Sequence, residues 1–311
     1  MPIYVVGARN QRVHIPNHSL AVSITGSVQG AELDVRAGAD QPVVRSTAHQ
    51  AVLPRMTGPV TVAVRPVGAA RFAPGTVIHL AIAHDTPGEV DPVQVLFDPV
   101  DVSGDAEVVF AALRPNGSHI EVGVSAVADA PLSPLGSAAR SSARQVIGRG
   151  PAQSDGSVVV ALDTSASMRP WFADGSVAAA TDIVVGVAAA VGLRTVSAVL
   201  VGVEVTPVPV GSPGPDGTGL AEAVRQAQPR WSAGARWSRL VAGPRTIVCA
   251  DFPTAAARQR FPVIILSNDR RFDAAGARLP APGPGEDASA GLLAHPPVLD
   301  RITASLVQAL T

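Results

Sequence analysis

One cysteine, no lysine and an aromatic content of only 4% set the first limits on this sequence of 311 residues. The lone Cys249 excludes an internal disulfide and any cysteine-built zinc site. It lies inside the apolar run TIVCAD and reads as a small buried hydrophobe. Without lysine, every fixed cation is an arginine, and 24 of them face 25 acids for a net charge of −1. That balance excludes the broad positive field that recruits nucleic acid or an acidic membrane surface.

Charged residues make up 16% of the chain and hydrophobic residues 47%, enough for sizeable cores and too apolar for a disordered chain. The length suits two domains better than one. The longest apolar stretch, SVAAATDIVVGVAAAVGL, is rich in Ala and Gly and interrupted by Asp182. It reads as a buried helix rather than a membrane span. The opening residues MPIYVVGARNQR lack a basic segment followed by a long apolar run. The expectation is a cytoplasmic protein with no membrane insertion and no nucleic-acid partner.

The two halves follow different patterns. Up to about residue 135, short Val- and Ile-rich runs recur: IYVV, LAVSI, ELDVRA, PVVR, VTVAVRPV, TVIHLAIA, PVQVLF, AEVVFAAL and HIEVGVSAV. Several alternate apolar and polar residues, as half-buried strands do. Turn signals such as GSVQG, APGT, HDTPGE and RPNG separate them. This predicts an all-β sandwich or barrel over 1–135. Residues 136–154 turn rich in Ser, Ala, Gly and Arg and read as a linker, with a short helix possible across SAARSSARQVI.

From 155 onward, unbroken apolar runs alternate with helical stretches. SVVVALD, TVSAVLVGV, RTIVCAD and FPVIILSN have the character of strands buried on both faces, and EVTPVPV that of an edge strand. Helices are predicted at about 177–191, in GTGLAEAVRQAQ and in PPVLDRITASLVQAL, the last beginning with Pro. The alternation predicts a doubly wound, mostly parallel α/β sheet over 155–311. The run PAPGPGEDASAG before the final helix is expected to be a mobile loop.

One motif stands out within that second half. SVVVALD ends in an acid and continues as TSAS, placing Asp163, Ser165 and Ser167 at alternate positions after a buried strand. One carboxylate and two hydroxyls are hard oxygen donors, at the end of the sheet where open α/β folds place their ligand crevice. This pattern resembles the first metal loop of the von Willebrand factor A family. The resemblance continues in order along the chain, with Thr218 in PDGTGLAEAV and Asp251 in TIVCADF. It implies a Mg²⁺ or Mn²⁺ ion held by Asp163, Ser165, Ser167, Thr218 and Asp251, and a protein partner that supplies a further carboxylate to the ion. Two positions depart from the family pattern: Ala166 stands where Gly is usual, and Phe252 follows Asp251 where Gly is usual. Read on their own, the serines could merely cap the next helix, which leaves Thr218 and Asp251 unexplained.

Enzyme signatures are missing. A haloacid-dehalogenase phosphatase needs Asp-x-Asp, and position 165 is Ser. The loop GSPGPDGTG lacks the lysine of a phosphate-binding loop, and neither HExxH nor Gly-x-Ser-x-Gly occurs. The histidines are scattered; His14 and His18 could share a strand face, but Pro16 lies between them.

The first half, through SLAVSITGSVQGAELDVRAG and its late paired runs, is similar to the β-sandwich domain of bacterial tellurium-resistance and stress proteins. That likeness implies Ca²⁺ held by acids, with Asp34, Asp85, Asp91, Asp98, Asp101 and Asp105 as candidates. The same acids suit ordinary turn chemistry. The function expected is a non-catalytic docking module in a stress-response complex. The alternatives are a structural scaffold with a vestigial metal site, recognising partners through its first half, and a metal-dependent hydrolase.

Overall fold

The computed structural model describes residues 2–311 except 9, 86–91, 149–153, 211–218, 242, 244 and 276. The fold is mixed α/β with three sheets, and the chain divides into two compact units, Met1–Asp129 and Ala130–Thr311.

The described elements of the first unit are strands: β1 (Ile3–Val6), β2 (Arg12–Pro16), β3 (Leu20–Gly26), β4 (Ala31–Ala37), β5 (Val44–Thr47), β6 (Gln50–Leu53), β7 (Val60–Pro66), β8 (Val77–His84), β9 (Gln94–Phe97), β10 (Val100–Asp101), β11 (Val108–Asn116) and β12 (His119–Val124). One sheet runs β1-β9-β8-β3-β6-β5, with β10 also on β8; the other runs β2-β12-β11-β7-β4. The period-two patterning is what builds them. On β3, Leu20, Val22 and Ile24 are buried while Ala21 and Ser23 are only half-buried. Leu33, Val62, Phe110 and Ile120 from the second sheet join these residues in a single hydrophobic cluster.

Asp34 on β4 alternates away from Leu33 and Val35. Its carboxylate takes ion pairs from Arg36 at 2.7 Å, Arg45 at 3.2 Å and Arg65 at 3.2 Å. Burial pushes its pKa up, but the three guanidiniums outweigh that and hold it below the usual carboxylate value.

The second unit contains α1 (Pro134–Ile147), β13 (Ser154–Asp163), α2 (Arg169–Ala173), α3 (Ser176–Ala190), β14 (Leu193–Val201), β15 (Val205–Pro207), α4 (Gly219–Gln226), β16 (Thr246–Ala250), α5 (Ala255–Arg260), β17 (Val263–Leu266), β18 (Arg278–Leu279), α6 (Ala288–Ala294) and α7 (Pro296–Leu310). Its sheet runs β15-β14-β13-β16-β17-β18. The pairings are parallel except for the antiparallel edge strand β15.

The unbroken apolar stretch 158–162 of β13 follows from burial on both faces. Val158, Val160 and Leu162 pack with Ile183 and Val187 of α3 and with Ile302 and Leu306 of α7. Ala161 faces the other way, into a smaller cluster with Val248, Ala257, Phe261, Trp237 and Leu240. No single helix among the described residues is long and apolar enough to cross a membrane. One pair passes that test jointly, Ala166–Ala173 with Ser176–Ala190, bent by 73°. Most of α3 is buried in the core of this unit.

Most of the segment expected to be a linker is instead α1, and the boundary between units falls at Asp129. The small residues that make 136–154 resemble a tether are those that close helix packing requires. Ala139 and Ala143 are fully buried in the cluster shared with α3. The space beside Gly186 of α3 is so tight that a Cβ there would lie 2.2 Å from the Gly136 carbonyl oxygen. Ser133 caps α1 by accepting from the Gly136 N–H at 2.9 Å, and its hydroxyl donates to Asp182 at 2.5 Å. At the other side of the helix, the Ser142 hydroxyl lies 2.6 Å from both Asp300 and Thr303 of α7. Asp182, which interrupts the apolar pattern of α3, therefore has a structural task. Burial pushes its pKa up, against the Ser133 hydrogen bond and the charge of Arg225.

The expected mobile loop at 280–291 contains the start of α6, whose N-terminus Asp287 caps by accepting from the N–H groups of Ser289 at 2.9 Å and Ala290 at 3.3 Å.

Candidate functional site

Strands β13 and β16 are the neighbours from which the chain proceeds in opposite directions across the sheet. Leu162 is in register with Cys249, so Asp163 and Asp251 leave adjacent parallel strands within one residue of the same level. The carboxyl ends of strands at such a reversal are where open α/β sheets hold their ligands. The sequence motif therefore lies at the carboxyl ends of the two strands beside that reversal.

The first loop is held in a defined shape. Asp163 is only 5% exposed, and its Oδ1 accepts from the Ser165 N–H at 2.7 Å. Ser165 leads into a 3₁₀ turn, Ala166–Met168, and its hydroxyl oxygen is 3.1 Å from that of Ser167. The backbone of this loop is tied on both sides: the Thr164 N–H donates to the Val201 carbonyl at 3.0 Å, and the Ala166 N–H donates to the Ser232 carbonyl at 2.8 Å. The Ser232 N–H returns a bond to the Thr164 carbonyl at 3.0 Å. Next to Ser232, the Trp231 ring packs edge-on to Phe172 with centroids 5.4 Å apart, and the Arg169 guanidinium lies 5.5 Å from the Trp231 ring centre.

The second carboxylate, Asp251, is half-buried, and its N–H donates to the Sδ of the fully buried Met168 at 3.2 Å. Phe252, in the position where the family pattern has Gly, is 77% exposed.

The electrostatics of this corner are one-sided. Burial pushes the Asp163 pKa up, and the nearby charge of Asp251 adds to that, while hydrogen bonds from Ser165 oppose it. The Cys249 thiol, one residue before Ala250 on β16, is pushed up by burial first and then by the negative fields of Asp163 and Asp251. No cation stands among the groups acting on Asp163. A buried carboxylate beside a second carboxylate, with neutral hydroxyls alongside, fits a small hard divalent cation, because the donors are oxygens.

Of the five residues expected at the ion, the structure brings Asp163, Ser165, Ser167 and Asp251 to the carboxyl ends of the adjacent central strands β13 and β16. Thr218 lies outside the described residues; α4 begins at the next residue, Gly219.

Among the described residues, the acids suggested for calcium in the first half are not gathered into a metal-holding group. Asp34 is engaged by three arginines. Asp101 closes a turn by accepting from the Ser103 N–H at 2.9 Å. Asp91 lies outside the described residues. Among the described residues, no three of His, Cys, Asp and Glu form a group able to hold a metal. His14 lies 3.6 Å from Glu121 and the His18 ring packs 4.9 Å from that of His84, so these two histidines take different neighbours.

Sequence reasoning overlooked Met168 and Ser232, which brace the two loops. A large apolar residue directly after a run of hydroxyls was a readable signal for the first, since such a side chain needs a buried seat. Nothing local marks the second, which lies 65 or more residues from the loop it supports. No protein-family model matches the chain, and no curated protein matches it.

Proposed function

We propose that residues 130–311 form a von Willebrand factor A-like module that binds Mg²⁺ or Mn²⁺ and uses the ion to dock a carboxylate of a protein partner without turning it over. The observation that carries this reading is the convergence of Asp163, Ser165, Ser167 and Asp251 at the switch point between β13 and β16, with the buried Asp163 carboxylate in the field of Asp251. The strand order β15-β14-β13-β16-β17-β18, parallel except for the antiparallel outer strand β15, supports the fold half of the reading.

Asp163 supplies the buried anionic ligand. Ser165 and Ser167 supply neutral oxygens, so a bound divalent ion keeps positive charge for one further acid. Thr218 and Asp251 complete the set. When bound, the ion supplies Lewis acidity and a positive charge for a partner's carboxylate. Among the described residues around the site no nucleophile is paired with a base, which supports docking over hydrolysis. We read the two sheets of residues 3–124 as a β-sandwich like that of the tellurium-resistance and stress proteins, and propose a role in a stress-response complex.

The test is capture of partners from lysate by wild-type protein and by Asp163→Ala, each in Mg²⁺ and in EDTA. The proposal expects capture only by wild type in Mg²⁺. Capture that survives both EDTA and Asp163→Ala overturns metal docking and favours a scaffold that recognises partners elsewhere.

A further inference from the structure

The bond from Asp251 to Met168 links the two loops that carry the carboxylates. Met168 ends the 3₁₀ turn that begins with the motif serines, and its own N–H donates back to the Ser165 carbonyl at 3.0 Å. Its side chain is fully buried, and its sulfur accepts the Asp251 N–H at 3.2 Å, across 83 residues of sequence. Asp251 sits after the last strand residue Ala250, where the β ladder no longer holds the backbone. Phe252, mostly exposed, offers no packing anchor there. Among the described hydrogen bonds, the one to the thioether joins the start of this loop to the first one.

We propose that Met168 is a positioning residue for the cation site: its thioether holds the Asp251 backbone against the first loop and so sets the second carboxylate beside Asp163. This rests on the reading of the site above. A thioether suits the task because it is apolar enough to be buried in the core yet still accepts a hydrogen bond. A leucine fills nearly the same volume and cannot accept.

The experiment has two arms. In the first, amide exchange at Asp251 is followed by NMR in metal-free wild type and in Met168→Leu. The expected result is faster exchange at Asp251 in the variant, with core amides of β13 and β16 unchanged. Unchanged exchange at Asp251 overturns the proposal.

In the second arm, Mn²⁺ affinity is measured by calorimetry for wild type, Met168→Leu, Asp251→Asn and the double variant. A residue that supports a ligand from behind it is worth about tenfold or more in affinity, so Met168→Leu should bind about tenfold more weakly. If Met168 acts through Asp251, the same change made in the Asp251→Asn protein should cost less than about twofold. An equal loss in both backgrounds marks Met168 as ordinary packing and overturns the proposal. If wild type binds no Mn²⁺, the functional reading fails, while amide exchange still decides whether Met168 holds Asp251.

Discussion

Replacing Gly186 by alanine tests the seating of α1 on α3. A Cβ at Gly186 would lie 2.2 Å from the Gly136 carbonyl oxygen, 2.9 Å from the Ala139 Cβ and 3.0 Å from the Arg140 nitrogen. Two of these three atoms are backbone, so no side-chain rotation relieves the contact. Carbon contacts are comfortable at about 3.5 Å, so α1 would have to withdraw by more than about 1 Å. Overpacking of this kind costs about 1–3 kcal/mol. Alanine returns up to about 1 kcal/mol through its higher helix propensity. The net expectation is a loss of about 1–2 kcal/mol, or a fall in Tm of about 2–8 °C for a unit of this size.

The control is Gly291→Ala on α6, where the nearest atom to the new Cβ is the Glu286 Oε2 at 3.8 Å. There alanine should stabilise by about 0.5–1 kcal/mol. All three tryptophans, Trp171, Trp231 and Trp237, lie in the second unit, so thermal melts followed by tryptophan fluorescence report its unfolding. If Gly186→Ala melts at or above wild type, α1 does not pack on α3 as described.

Two buried aspartates should respond to pH with opposite signs. Asp34 has a lowered folded pKa, so its contribution is present above the unfolded value of about 3.9 and lost as pH falls through the folded value. Asp34→Asn should therefore cost about 1–3 kcal/mol at pH 7. In urea melts by circular dichroism the difference should shrink towards pH 3; a pH-independent cost would contradict the ion-pair account. Asp182 has a raised folded pKa, so its charge costs stability as pH rises from about 3.9 through the folded value. Asp182→Asn should be more favourable, relative to wild type, at pH 7 than at pH 4 in fluorescence-detected urea melts; the opposite trend would refute burial as the dominant effect.

The strands and helices that carry strong periodicity were readable from sequence because their patterns report burial directly. Within SVVVALD the stretch VVVAL is apolar at every position because β13 is covered on both faces there, and PPVLDRITASLVQAL is amphipathic because α7 buries only one face. The short strands β6 and β10 and the helices α5 and α6 were not foreseen. They are too brief for a period to show and are held by their place in the fold. For α1, a Ser/Ala/Arg composition suits a tether and a closely packed helix equally well. Only the partner surface, with Gly186 and Asp182, separates the two.

At the site, Asp163, Ser165 and Ser167 were legible because their spacing is local. Asp251 was legible only through the resemblance. The burial of Met168 had a local signal, but the contacts that brace the loops, from Ser232 and between Met168 and Asp251, join residues far apart in sequence, so their partners were not readable.

The central claim is that the corner formed by Asp163, Ser165, Ser167 and Asp251 holds a divalent cation. Its most direct test is calorimetric titration of Mn²⁺ and Mg²⁺ into folded wild-type protein and into Asp163→Ala. The account predicts one site in wild type that disappears in the variant. A folded wild type that takes up neither ion, or binding that survives Asp163→Ala unchanged, would contradict it.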